Sequence, residues 1–131
     1  MRVPHADEAL HATLERMVST PGLKERIYYV QLSDAERLSP PLTPSHPYWD
    51  DTMLPRMQWS RNARLFPCES LGCLPLESFG RTLFDAMGWR GWVSMELFSR
   101  TTSSPEPAVP QTHAQRGIES WRKYLETIGQ L

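Results

Sequence analysis

Apolar residues recur along this chain with two different periods, and the alternation between them predicts its elements. Leu10, Leu14, Met17 and Val18 fall at i, i+4, i+7 and i+8, one face of a helix, so residues 6–19 are expected to be helical. Pro4 stands just before that segment and Pro21-Gly22 ends it. Ile27 to Ser33 reads IYYVQLS, aromatic and β-branched, and predicts a buried strand over about 27–33. A second helical stripe of Leu76, Phe79, Leu83, Phe84 and Met87 predicts a helix from about 76 to 87, with Pro75 at its start and Gly88 at its end. Residues 91–98, GWVSMELF, predict a second strand. Ala114, Ile118, Trp121, Leu125 and Ile128 form the apolar stripe of a last helix over about 111–128.

Residues 34–74, between the first strand and the second helix, are punctuated by prolines and show no sustained period. A stretch that long inside a domain is either functional or disordered. Its middle, Arg56 to Phe66, carries aromatics and arginines rather than Ser and Gly, which favours function. The order is α-β-(long loop)-α-β-α, with no internal repeat beyond the βα alternation. Strands alternating with helices imply parallel pairing through a right-handed crossover. Two parallel strands are too few, because a parallel sheet needs both faces covered and more neighbours than one. A complete (β/α)8 barrel holds eight strands in roughly 200–250 residues or more. The 131 residues therefore read as one α/β domain that is part of something larger, or one that borrows strands from a partner.

Composition changes this picture at a few points. The formal net charge is −1 with both signs scattered, which leaves no basic stripe for phosphates and argues against a nucleic-acid partner. No segment approaches the roughly 18 apolar residues of a membrane helix, and Met1 to Leu10 lack the apolar run of a signal peptide. A cytoplasmic protein with no membrane partner is expected. Cys68 and Cys73 are too few for a disulfide framework and read as unpaired thiols.

Candidate chemistry sits on the strands. With period 2, Ile27, Tyr29, Gln31 and Ser33 share one face of the first strand, and Trp92, Ser94, Glu96 and Phe98 share one face of the second. Gln31 and Glu96 each lie near the C-terminal end of a strand, where barrel enzymes place catalytic groups pointing inward. A carboxylate and an amide oxygen are hard ligands suited to Mg²⁺ or Mn²⁺. From periodicity alone a structural reading comes first: Gln31 as a hydrogen-bonded strand amide and Glu96 as the ion-pair partner of some Arg.

A family resemblance reverses that order. IYYVQLSDAERL, WSRNARLFP and GWVSMELFSRT resemble, in this sequence order, the last two βα units of the 3-dehydroshikimate dehydratases of the xylose-isomerase-like (sugar phosphate isomerase-like) TIM barrel superfamily. The resemblance runs from about Val3 to Leu131 and identifies the chain as the C-terminal portion of such a barrel, its last two βα units preceded by one helix, within one domain over 1–131. It implies that Gln31 and Glu96 match two of four side chains holding a divalent metal, Mg²⁺ or Mn²⁺ with Co²⁺ as a further candidate. The other two ligands, a Glu and an Asp, and an Asp-x-x-His carrying the family's catalytic histidine have no counterpart among these residues. No catalytic residue is therefore assigned, and His5 and His11 read as solvated positions on the first helix. In the loop the resemblance casts Ser60 and Arg64 as substrate contacts, the Arg fork suiting a ring carboxylate. Arg61 and Asn62 are cast as loop-ordering residues. Asp34 and Glu36 read as outer partners of the metal site or as caps that order the loop.

The implied activity is a metal-dependent lyase converting 3-dehydroshikimate to protocatechuate in quinate and shikimate catabolism. With half the metal ligands and no base, the expectation for this chain is a fragment that binds metal weakly or not at all and turns over little or nothing alone. Three other readings stand beside it. One is a sugar isomerase or epimerase barrel fragment, against which the WSRNAR loop argues. Another is a non-catalytic module completed by self-association or a complementing chain. The last is a truncated product with no function of its own.

Overall fold

The computed structural model describes residues 5–131, so Pro4 lies outside the described residues. Helix α1 spans Ala6–Ser19. It stops where expected: Thr20 turns its N–H and its hydroxyl back onto the Arg16 carbonyl at 3.0 and 2.6 Å, and Gly22 follows at φ 71°. Strand β1 is Tyr29–Leu32 and strand β4 is Trp92–Met95, both shorter than the sequence suggests. The two are neighbours in a two-stranded sheet.

The chain divides into two compact units, and the division falls inside β1 and β4. The first takes the described residues up to Val30 together with Pro75–Val93. It contains α1, a 3-10 turn at Lys24–Arg26, and helix α3, Leu76–Arg81, which continues into a π-helical turn over Thr82–Ala86. Leu14 of α1 and Leu83, Phe84 and Trp89 are its buried apolar residues. Trp89 is fixed at both ends, its backbone N–H donating to the Leu83 carbonyl at 3.0 Å and its indole N–H to the Ile27 carbonyl at 2.8 Å. Of the predicted stripe over 76–87, Leu83 and Phe84 are buried and Leu76, Phe79 and Met87 half-buried, and Gly88 at φ 60° turns the chain straight after it.

The second unit comprises Gln31–Leu74 and Ser94–Leu131. Its stretch over 34–74 is more regular than its prolines suggest. It holds β2 (Asp34–Ala35), helix α2 (Pro55–Asn62) and β3 (Arg64–Leu65). Strands β2 and β3 pair antiparallel, Asp34 opposite Leu65 and Ala35 opposite Arg64. Asp34 is buried, and its Oδ1 accepts the backbone N–H groups of Ala35, Cys73 and Leu74 at 2.8, 3.0 and 2.9 Å. That ties the end of the stretch to its start. Gly72 makes room for the carboxylate, since a Cβ there would lie 2.2 Å from Asp34 Oδ2. Gln58 on α2 is likewise buried. Its amide oxygen accepts the Asp50 N–H at 3.0 Å and its amide nitrogen donates to the carbonyls of Asp50 and Met53.

Helix α4 spans Val109–Thr127, and of its predicted apolar stripe only Ile128, just past its end, is buried. Gly117, Ser120 and Tyr124 are buried, whereas Ile118 of the apolar stripe is 56% exposed. The reason is the turn at 66–69. Arg116 grips the Glu69 carboxylate with Nε and Nη2 at 2.7 and 2.9 Å, and the Ser120 hydroxyl donates to the Pro67 carbonyl. Lys123 Nζ donates to the Cys68 carbonyl at 3.0 Å, and Gly117 leaves room for the Phe66 ring, 3.4 Å from where a Cβ would be. Polar anchoring of the turn has set the rotation of the helix. Ala114, Ile118 and Trp121 instead line an open apolar groove of about 390 Å³ with Phe66 and Met95.

Candidate functional site

The second unit brings three of the four predicted site residues into one hydrogen-bonded cluster. Ser60 sits in the last turn of α2, and Arg64 opens β3 after Ala63 ends the helix. The Arg64 N–H donates to the Phe98 carbonyl at 3.3 Å, and Ala63 bridges Ser99 antiparallel, so the α2–β3 junction is laid along the segment that follows β4. That segment begins with Glu96. Each nitrogen of the Arg64 guanidinium makes one bond there: Nε and Nη2 donate to Ser60 Oγ at 3.1 and 2.9 Å, and Nη1 donates to Glu96 Oε2. Its carbon also lies 5.1 Å from the centre of the Phe98 ring. The side chains of Arg64 and Glu96 keep 24% and 31% of their exposure, so solutes can reach the pair.

Gln31 is not part of that cluster. Its side chain is exposed on β1, one residue before Leu32, whose carbonyl accepts the Glu96 N–H at 3.2 Å. Neither strand is buried on both faces. Tyr29 on the Gln31 face of β1 is 64% exposed and Trp92 on the Ser94 face of β4 is 84% exposed, while Leu32 on the opposite face of β1 is buried.

The expected metal can be tested on these donors. Glu96 is a carboxylate already satisfied by a guanidinium, and Gln31 adds one amide oxygen. Among the described residues no group of three or more His, Cys, Asp or Glu side chains is gathered closely enough to hold a metal ion. As arranged, Gln31 and Glu96 do not make a divalent-cation site, since such ions take six or more oxygen donors. The structure therefore displays, for Glu96, the ion-pair role that periodicity alone suggests.

Asp34 and Glu36 act as ordering residues. Asp34 caps three N–H groups, as described, and Glu36 pairs with Arg100. The hydrogen bond to Glu36 holds the Arg100 guanidinium above its usual pKa. Arg100 also lies 5.6 Å from the Tyr48 ring centre and, with Glu36, His46 and Tyr48, lines an open cavity of about 530 Å³. Asn62 orders the loop through its Nδ2, which donates to the Gln58 carbonyl at 2.8 Å, and through its own carbonyl, which accepts the Arg100 N–H at 3.3 Å. The histidines are engaged elsewhere: His5 with Glu8, His11 with Glu15, His46 with the Tyr48 N–H, and His113 with Thr101. Cys68 and Cys73 are free thiols. Glu69 and Arg116 were not legible as ordering residues, because nothing in the local sequence marks partners 47 positions apart.

The fold has a counterpart among solved structures. A xylose isomerase-like TIM barrel/4-hydroxyphenylpyruvate dioxygenase fusion protein matches 88% of this chain and 16% of its own with a TM-score of 0.51 at 24% sequence identity. The class is thereby defined: an α/β chain with the fold of the C-terminal part of a xylose isomerase-like TIM barrel, with no closed barrel among the described residues. Over almost all of its length it is a sequence relative of 3-dehydroshikimate dehydratase. The enzyme of that name from Neurospora crassa is 43% identical over 129 residues, 97% of this chain. The chain spans about a third of the relative's length, 36%. No family model matches the sequence. No helix among the described residues is long and apolar enough to cross a membrane.

Proposed function

We propose that this chain carries the carboxylate-gripping side of a 3-dehydroshikimate dehydratase-type lyase. The observation that carries the reading is the Ser60–Arg64–Glu96 cluster at the C-terminal ends of the strands, in a chain 43% identical to such an enzyme. In this reading the Arg64 fork takes the ring carboxylate of 3-dehydroshikimate and Ser60 Oγ fixes the plane of the guanidinium, as bidentate Arg–carboxylate recognition requires. The reaction removes a proton beside the ring ketone and expels a ring hydroxyl. One water leaves, and tautomerisation of the remaining ring gives protocatechuate.

Holding the substrate is only part of that work. A base must take the proton, and the hydrogen-bonded partners of all four histidines lie outside the Ser60–Arg64–Glu96 cluster. The chain by itself is therefore proposed to position substrate and to turn it over far more slowly than an enzyme with a placed base, a deficit of about 10²–10⁴-fold for the missing general base alone. A small-molecule carboxylate is the proposed ligand. The test is to incubate the purified chain with 3-dehydroshikimate and Mn²⁺ and follow protocatechuate by its ultraviolet absorbance. Slow release that Arg64→Met lowers further supports the reading. Release equal in both proteins, or none together with no binding of 3-dehydroshikimate, defeats it.

A further inference from the structure

The cavity of about 530 Å³ beside the Glu36–Arg100 pair lies wholly within the second unit, and none of Ser60, Arg64 and Glu96 lines it. We infer that it is a binding site for a small aromatic monocarboxylate, whose anion meets Arg37 and whose ring lies among the side chains of Leu38, Tyr48 and Leu71. An acid held here is held independently of the Ser60–Arg64–Glu96 cluster.

Burial sets the charge of this cavity. The Glu36 side chain keeps 11% of its exposure and that of Arg100 keeps 40%, so the pair covers its anion and shows its cation. Arg100 is fixed in place: its Nη1 donates to Glu36 and, at 3.3 Å, to the Asn62 carbonyl, and its guanidinium carbon lies 5.6 Å from the Tyr48 ring centre. Arg37 lines the same cavity, is exposed, and makes no ion pair or hydrogen bond among the described residues. Two arginines against one glutamate leave the lining with one positive charge in excess, and the guanidinium without a partner is that of Arg37. A carboxylate there gains a charge-assisted, bidentate contact and displaces no existing bond.

The walls favour a ring behind that carboxylate. Leu71 lines the cavity and is 63% exposed, a large apolar side chain left in water near an unpaired cation. Tyr48 is held without a ligand: its N–H donates to His46 Nδ1 at 3.1 Å, and the two rings lie 4.9 Å apart at 58°. Pro40 and Pro47 add walls that lose no side-chain entropy when covered. A preformed cavity with apolar walls and a few placed polar groups suits a small organic ligand. A bare inorganic anion would leave the walls in water, and an uncharged ring would leave Arg37 unpaired.

The probe is benzoate, with acetate (charge without ring) and benzyl alcohol (ring without charge) as comparisons. Binding is read residue by residue from the backbone amide resonances of the isotope-labelled chain. Benzoate should shift Leu38, Tyr48 and Leu71, and each comparison should bind at least about tenfold more weakly. Arg37→Ala should weaken benzoate at least about tenfold. Arg37→Lys, which keeps the charge and loses the fork, should fall between that variant and the parent chain. Arg64→Met should leave the benzoate dependence of those three resonances unchanged. Shifts confined to residues 60–64 and 96 would put the acid at the Ser60–Arg64–Glu96 cluster and overturn the inference, leaving the proposed function intact. Acetate binding as tightly as benzoate, Arg37→Ala binding as the parent does, or no saturable shift at all overturns it as well.

Discussion

The two units of this chain are held together by different forces. In the first, the buried side chains are Leu14, Leu83, Phe84 and Trp89, and the polar bonds mainly fix the edge of that apolar cluster. In the second, the buried residues include Asp34, Glu36 and Ser120, each satisfied by a partner distant in sequence, and Gln58, satisfied by nearby Asp50 and Met53. Apolar packing is tolerant of exchange and has no preferred direction. Buried polar bonds are directional and costly to leave unmade. They position a loop to a fraction of an ångström. The unit that holds the Ser60–Arg64–Glu96 cluster is the one built that way.

Substitutions in each unit can break or sharpen this contrast, and the largest effect is expected in the first. Leu83 is fully buried, and Leu83→Ala should cost about 3 kcal/mol in a urea melt through lost transfer energy and a residual cavity. Amide exchange at Trp89 should accelerate with it, while the amides of Cys73 and Leu74 are slowed as before. Uniform acceleration in both units would show that they unfold as one and that the contrast has no thermodynamic counterpart.

Asp34→Ala is the matching test in the second unit. It removes one acceptor from three backbone N–H groups, and a loss of about 2–3 kcal/mol is expected. Exchange at Cys73 and Leu74 should now accelerate while Trp89 stays protected. Asp34→Asn keeps an acceptor oxygen and should recover part of the loss.

Next in size is a dependence on alkaline pH that belongs to the second unit. Burial pushes the Tyr124 phenol up from 10.0 to about 12. The folded chain therefore keeps a proton that the unfolded chain gives up between those values. Stability from this residue is complete below pH 10 and falls as pH rises toward about 12, by an amount on the order of 2 kcal/mol. Tyr124→Phe should remove that alkaline loss. An unaltered alkaline profile would place the titrating group elsewhere.

The smallest effect should come from the exposed surface. His11 pairs with Glu15 at 3.2 Å on the solvent side of α1, and His11→Ala should change stability by no more than about 0.5 kcal/mol. A larger loss would mean that this helix end contributes more than an exposed pair can.

Much of this was legible from the amino acids alone. The stripes over 6–19 and 76–87, the prolines and glycines at their ends and the β-rich runs around residues 30 and 94 mark elements that formed, because period and capping are local properties that need no partner. The relation to 3-dehydroshikimate dehydratase was legible too, since the motifs that carry it are contiguous. Tertiary structure decided the rest. It buried Gly117, Ser120 and Tyr124 rather than the more apolar Ile118 side of α4, because the Pro67 carbonyl and the Glu69 carboxylate anchor the helix. It turned Asp34 into a cap for residues 39 and 40 positions away. It also gave Glu96 a guanidinium 32 positions away as its partner. A hydrogen bond across such a distance leaves no periodic trace in a sequence, and only the folded chain shows which donor reaches which acceptor.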